Sequence, residues 1–262
     1  MPYPSTRRLL VTGATTPLGR RVAELLLRSA EVSVTTTSRT PGQLADLAAR
    51  GAQVRRADFD DPASLDAAFA GAEGLLLVRA GFPGTDGLRR HRAAVEAAVR
   101  AGVRHIACTS VVCPDPASPL GQEHVAAEAA IEGCGIPCTI LRLAPLAESL
   151  FCRIPLALRV GHWPSSAGAG RVAYVARDDA AAAAAAAMNA RMAERQRLDL
   201  TGPEALTPAE VVAACNAVFG AGIGLVPLDD GSLAGDLAAA GMAAALVKQA
   251  VEMGSPRFQC NK

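Results

Sequence analysis

An α/β fold, a doubly wound parallel sheet carrying a small C-terminal substrate lobe, is what this sequence predicts, and three observations carry it. Short apolar, β-branched runs alternate from the start with longer alanine- and leucine-rich stretches, the rhythm of βαβ units. Proline opens three of the helical stretches, at Pro17, Pro41 and Pro62, where its missing N–H costs nothing. A glycine-bearing turn, "VTGATTPLGR" at residues 11–20, joins the first strand to the first helix.

In chain order, strands are expected over residues 9–12, 32–36, 53–56, 74–78, 105–109 and 138–143, with helices over 17–29, 41–50, 62–70, 88–101 and 122–132 between them. After Ala144 the rhythm breaks into "PLAESLFCRIPLALRVGHWPSSAGAGR", rich in proline and glycine and holding the only tryptophan. A strand at 172–176, a helix on the alanine run 180–187 behind Asp178 and Asp179, and a strand at 197–202 resume the pattern. A helix opening at the "TPAE" box, an apolar "IGLVPL" and a last helix complete the chain. The expectation is one dinucleotide-binding unit, with its core over about 1–144 and 172–202 and a lobe over about 145–171 and 203–262.

Composition narrows the function classes. Half of the 262 residues are hydrophobic and the formal charge is +1, with no basic run interleaved with aromatics, so the expected partner is a small molecule rather than nucleic acid or a membrane. Self-association as a homodimer is left open. The four-residue apolar run after Arg7 and Arg8 is too short for a signal peptide or a span, and a cytoplasmic protein with reduced thiols is expected. Seven cysteines without a Cys-x-x-Cys pair suit neither a zinc site nor a disulfide framework, and His91, His105 and His162 share no metal-ligand spacing. No metal is expected.

The turn reads as a phosphate loop of Rossmann type. Gly13 ends the strand and Gly19 lies in the first helical turn, so the helix N-terminus directs N–H groups and a positive dipole end toward a pyrophosphate. Thr16 stands where a further glycine would complete the pattern, but it precedes Pro17, which makes the two an N-cap and N1 pair. Its hydroxyl is also placed to donate to a phosphate. The second strand ends in Ser38 and Arg39 with no acid to hold ribose hydroxyls, which favours the 2′-phosphate of NADP(H) over NAD. Asp58 and Phe59 follow the third strand, where adenine contacts would fall; alternatively they only cap the helix at Pro62.

The stretches "VTGATTPLGR", "RRADFDDPASLDAAFAGAEGLLLV", "HRAAVEAAVRAGVRHIACTS", "SPLGQEHVAAEAAIEGCGIPCTILR" and "LTGPEALTPAEVV" together resemble the NmrA-like branch of the atypical short-chain dehydrogenases, which holds NADPH-dependent quinone reductases and redox-sensing regulators. The resemblance implies Gly13, Thr15, Thr16, Leu18 and Gly19 at the pyrophosphate, Ser38 and Arg39 at the 2′-phosphate, and Asp58 and Phe59 at the adenine. It also implies Val78 and Arg79 beside the nicotinamide half.

The tyrosine and following lysine of typical short-chain dehydrogenases are missing: Tyr3 and Tyr174 are followed four residues on by Arg7 and Asp178, and the lysines are Lys248 and Lys262. In their place stand His124 and Glu128, four apart on one helical face, with Ser110 at the end of the fifth strand. His124 is the candidate proton donor and Glu128 its orienter, against the plainer reading of a surface ion pair and a capping serine. Phe82, Leu146, Phe151 and Trp163 are the candidate substrate wall, or else lobe core. The expected activity is NADP(H)-dependent hydride transfer to a quinone-like or conjugated carbonyl compound. The competing readings are a non-catalytic NADP(H) sensor and a redox-neutral isomerase, cyclase or dehydratase.

Overall fold

The apolar run after the paired arginines becomes β1 (Arg7–Val11), in which Leu9, Leu10 and Val11 are fully buried, as expected of a central strand covered on both faces. The structure, a computed structural model, describes residues 6–78, 85–190 and 194–254. Chain contacts divide it into two units, Met1–Arg142 with Asp178–Asp199, and Leu143–Arg177 with Leu200–Lys262.

In the first unit β1 is followed by α1 (Pro17–Leu26), β2 (Val32–Ser38), a 3-10 turn at Pro41–Leu44 running into α2 (Ala45–Ala49), β3 (Gln53–Arg56) and α3 (Pro62–Phe69). Then come β4 (Gly74–Leu77), α4 (Thr85–Arg100), β5 (His105–Val111), α5 (Pro119–Gly133) and β6 (Cys138–Leu143). α7 (Arg177–Asn189) and β8 (Gln196–Leu200) return to it after the excursion described below. The seven-stranded sheet has the order β3-β2-β1-β4-β5-β6-β8. The pairs β2–β3, β1–β2, β1–β4 and β4–β5 are parallel, so the order reverses between β1 and β4, where ligands of such sheets bind.

Helix starts are set by one local device. Thr16, Asp61 and Ser118 each accept the amide three residues on, and each precedes a proline at N1. That is why α5 begins at Pro119, three residues before the start read from its apolar pattern. α1 buries Leu18, Val22, Ala23 and Leu26, the spacing of one helical face, and the alanines of α7 are small enough for six of its residues to be buried. One face of the sheet closes over Phe69, Leu75, Ile106, Ile131 and Ile140.

The second unit contains a 3-10 segment at Ala147–Cys152, α6 (Ile154–Val160), β7 (His162–Ser165), α8 (Pro208–Phe219), β9 (Gly224–Pro227), α9 (Asp230–Ala239) and α10 (Ala244–Gly254). The segment expected to be loop thus holds a helix and a strand, with β7 paired in parallel to β9. The strand expected at 172–176 is not one. It makes single bridges, Leu146 to Val175 and Val172 to Leu206. α8 starts on the expected capping box, with Thr207 and Glu210 capping each other's amides. Cys108, Cys134, Cys138, Cys152 and Cys215 are not in disulfides, whereas Cys113 is disulfide-bonded, against the expectation of reduced thiols. No helix among the described residues is long and apolar enough to cross a membrane.

Candidate active site

The loop after β1 is tied to β4 before it turns. Thr12 donates its amide at 3.0 Å and its hydroxyl at 3.1 Å to the Leu76 carbonyl, and its Oγ1 accepts the Val78 amide at 3.2 Å. Gly13 has φ +65, and a Cβ there would stand 3.0 Å from that of Val78. A Cβ on Gly19 would stand 2.3 Å from the Gly13 carbonyl oxygen. Both glycines are therefore demanded by the turn itself.

Thr16 fastens this turn. Its Oγ1 donates to the Gly13 carbonyl at 2.8 Å and accepts from the Gly19 amide at 3.2 Å. The single hydroxyl hydrogen is thereby committed inside the loop, so the sequence expectation that it donates to a phosphate is corrected. The donors that face outward are backbone ones: among the described residues the amides of Thr15 and Leu18 have no acceptor in the chain. Narrow glycines, outward amides and a ten-residue helix behind them fit a pyrophosphate.

At the end of β2 the Ser38 hydroxyl donates to the Thr40 carbonyl and accepts the Thr40 amide, both at 3.0 Å, so its one hydrogen is spent inside the turn and the expectation that Ser38 donates to a 2′-phosphate is corrected. Arg39 is exposed and makes no ion pair among the described residues, so its guanidinium donors are unspent within the described chain. Asp58 forms a turn of its own: its carboxylate accepts the Asp60 amide at 3.1 Å while its amide donates to Ser64. The helix cap at Pro62 is Asp61, not Asp58. Phe59 packs against the sheet core. Val78 is buried against the glycine loop. Arg79 and Phe82 lie outside the described residues.

Ser110, His124 and Glu128 do meet, but not as the spacing suggested. Ser110 is the hub, with its Oγ 2.6 Å from Glu128 Oε1 and 3.1 Å from His124 Nδ1. A carboxylate only accepts, so the serine hydrogen goes to Glu128 and the serine oxygen accepts Nδ1–H of His124. Glu128 is held from its far side by Arg142 of β6, whose Nε reaches Oε1 at 3.0 Å and whose Nη2 reaches Oε2 at 2.6 Å. Ser110, His124 and Glu128 are each less than 10% exposed. Glu128 therefore reaches His124 only through Ser110, and the surface ion pair is ruled out by burial. Register pairs Leu77 with Cys108, placing Ser110 at the same carboxyl edge as Val78, one strand away, about 5 Å across the sheet.

Arg142 was missed in the sequence. Its signal was a lone charge in the apolar strand "CTILRL". Burial pushes the Glu128 carboxyl up, but the hydrogen bonds from Arg142 and Ser110 and the nearby guanidinium charge outweigh this, so the net shift is below the usual carboxylate value. With the folded pKa below the unfolded one, the stabilisation is complete above the unfolded pKa and is lost as pH falls through the folded value. The melting-temperature gap between the wild type and Glu128→Gln should accordingly narrow from neutral pH to about pH 3; a constant gap would contradict it.

The remaining sites lie in the second unit. Leu146 caps the 3-10 segment, Phe151 on that segment is 66% exposed, and Trp163 is 2% exposed in a core cluster with Val211, Val212, Cys215 and Ile223.

Comparison with known proteins places these features in context. The model of the NAD(P)H-binding family matches residues 13–191. Quinone oxidoreductase 2 of Escherichia coli is 34% identical over 237 residues, 89% of this chain and 82% of that protein. The structure of an NADPH-dependent quinone oxidoreductase from Escherichia coli complexed with NADPH superposes with a TM-score of 0.87 at 32% identity, covering 94% of this chain and 87% of the other. Citrobacter sp. triphenylmethane reductase complexed with NADP(H) gives 0.86 at 29% identity, over 95% and 89%.

Proposed function

We propose that this chain, which belongs to the NAD(P)H-binding family, is an NADPH-dependent oxidoreductase whose acceptors are quinones and similarly conjugated carbonyl compounds. The reading rests on one juxtaposition: a glycine loop shaped for a pyrophosphate and a buried Ser110–His124–Glu128–Arg142 chain stand at the same carboxyl edge of one sheet. Quinone reduction is the recorded activity of the Escherichia coli relative, which supports the acceptor class.

NADPH supplies the hydride when bound. Thr15 and Leu18 present amides to the pyrophosphate, with the glycines allowing close approach and Thr16 holding the loop in shape. Arg39 pairs with the 2′-phosphate, Ser38 shapes the turn that presents it, and Asp58 and Phe59 border the adenine. Val78 walls the nicotinamide side of the loop.

The acceptor's reduced oxygen takes a proton from His124. Because Nδ1–H is committed to Ser110, the proton His124 passes on is the one carried by Nε2. Glu128, kept ionised by Arg142, stabilises the charged imidazole through Ser110. No tyrosine is required, since a quinone accepts hydride readily and its hydroquinone anion is a weak base.

Two experiments test the reading. Arg39→Ala should lower the NADPH-over-NADH preference in kcat/KM by roughly 10- to 100-fold, the worth of a charge-assisted hydrogen-bond pair; an unchanged ratio would remove Arg39 from the site. His124→Ala should lower kcat by about 100-fold with a conjugated enone, which needs its proton, and far less with a benzoquinone. Equal losses on both would contradict a proton-donor role.

A further inference from the structure

The second unit contains a cavity of about 140 Å³ between α6, β7 and α9. Leu156, Ala157, Val160, Pro164 and Leu237 make most of its wall apolar, and Arg153 and Trp163 line it as well. An apolar cavity of about 150 Å³ holds one benzene ring. Size and lining thus suit a single aromatic ring.

Arg153 adds a charge that the chain does not neutralise. Its Cζ lies 4.4 Å from the centre of the Trp163 ring, and its Nη2 donates to the Pro164 carbonyl. No carboxylate among the described residues pairs with it. Burial disfavours its charged form and holds its pKa down, while Tyr174 nearby is pushed up by the same burial and so stays a neutral phenol. The one carboxylate in the wall, Asp236, faces His162 instead, Oδ2 to Nε2 at 3.6 Å, and both are about 40% exposed. A partly buried guanidinium stacked on an indole, with donors unspent and no anion, is an incomplete charge pair.

We propose that this cavity binds a single-ring aromatic carboxylate, its ring in the apolar pocket and its carboxylate on Arg153. The site is built from second-unit residues alone and does not depend on the hydride-transfer reading.

Trp163 is the only tryptophan in the chain, so its fluorescence reports this site directly. The test is a titration of the full chain, without NADPH, with sodium benzoate, followed by tryptophan emission and by calorimetry. Saturable quenching or a spectral shift with matching heat is expected, with benzamide, the neutral analogue, binding roughly 10-fold or more weaker. Arg153→Gln should weaken benzoate by a similar factor, and Arg153→Lys, which keeps the charge but loses the fork, should fall between, with circular dichroism confirming the fold of each. Neither heat nor spectral change on benzoate addition would overturn the proposal. So would equal binding of benzoate and benzamide, or benzoate binding indifferent to Arg153→Gln. All of these results leave NADPH oxidation untouched.

Discussion

Gly19→Ala should abolish useful NADPH binding, raising Kd by at least about 100-fold, while the protein still folds at reduced stability. The added Cβ would stand 2.3 Å from the Gly13 carbonyl oxygen, 2.7 Å from its carbon and 3.1 Å from the Ala14 nitrogen. All three neighbours are backbone, so relief requires the loop to open. Opening it breaks the Thr16 hydroxyl bond to Gly13 and moves the loop that carries the unbonded Thr15 and Leu18 amides. Gly42→Ala is the matched control: nothing lies within 4 Å of a Cβ there, and an effect within about 0.5 kcal/mol on stability and no change in Kd are expected. Calorimetric titration with NADPH checks both variants; near-equal affinity in the two would show that the glycine cradle does not hold the cofactor.

Arg142→Met should cost about 3 kcal/mol of stability and most of the activity toward enones. Removing one member of a buried ion pair leaves the other charge uncompensated, at about 3–5 kcal/mol, and the lower end applies because the Arg142 side chain remains 22% exposed. Glu128 is then driven toward its neutral acid, which has a hydrogen to give Ser110 and no longer fixes the direction of the chain to His124. The double variant Arg142→Met with Glu128→Gln should recover much of the stability, because no unpaired charge remains, and none of the activity. Urea unfolding and enone kinetics on the four members of the cycle measure both. Additive losses would mean that the two residues act independently, contrary to the geometry.

The fold was legible because its signals are local. Capped prolines and apolar runs set α1, α3 and β1 without reference to the rest of the chain. The resemblance to the quinone reductase branch, carried by stretches spread along the chain, holds in the family match and in the relatives. The second unit was misread where pairing decides: "HWPS" carries proline yet pairs with β9, whereas "VAYVA" has strand composition but no strand beside it. The site was half legible for the same reason. Helical spacing showed that His124 and Glu128 share a face, but the link through Ser110 and the clamp by Arg142 come from two strands distant in sequence. The N-cap role of Thr16 follows from its place before Pro17, but its hydroxyl hydrogen goes to the Gly13 carbonyl and not to a phosphate, a choice set by the loop's closure that local sequence does not show.

Anaerobic mixing of the protein with NADPH and a benzoquinone, following nicotinamide absorbance and hydroquinone together, tests the central claim most directly. One hydroquinone formed per NADPH consumed, with NADPH strongly preferred to NADH, is the expected result. NADPH binding without consumption of any quinone or enone would contradict the account and leave the chain a cofactor-binding protein without this chemistry.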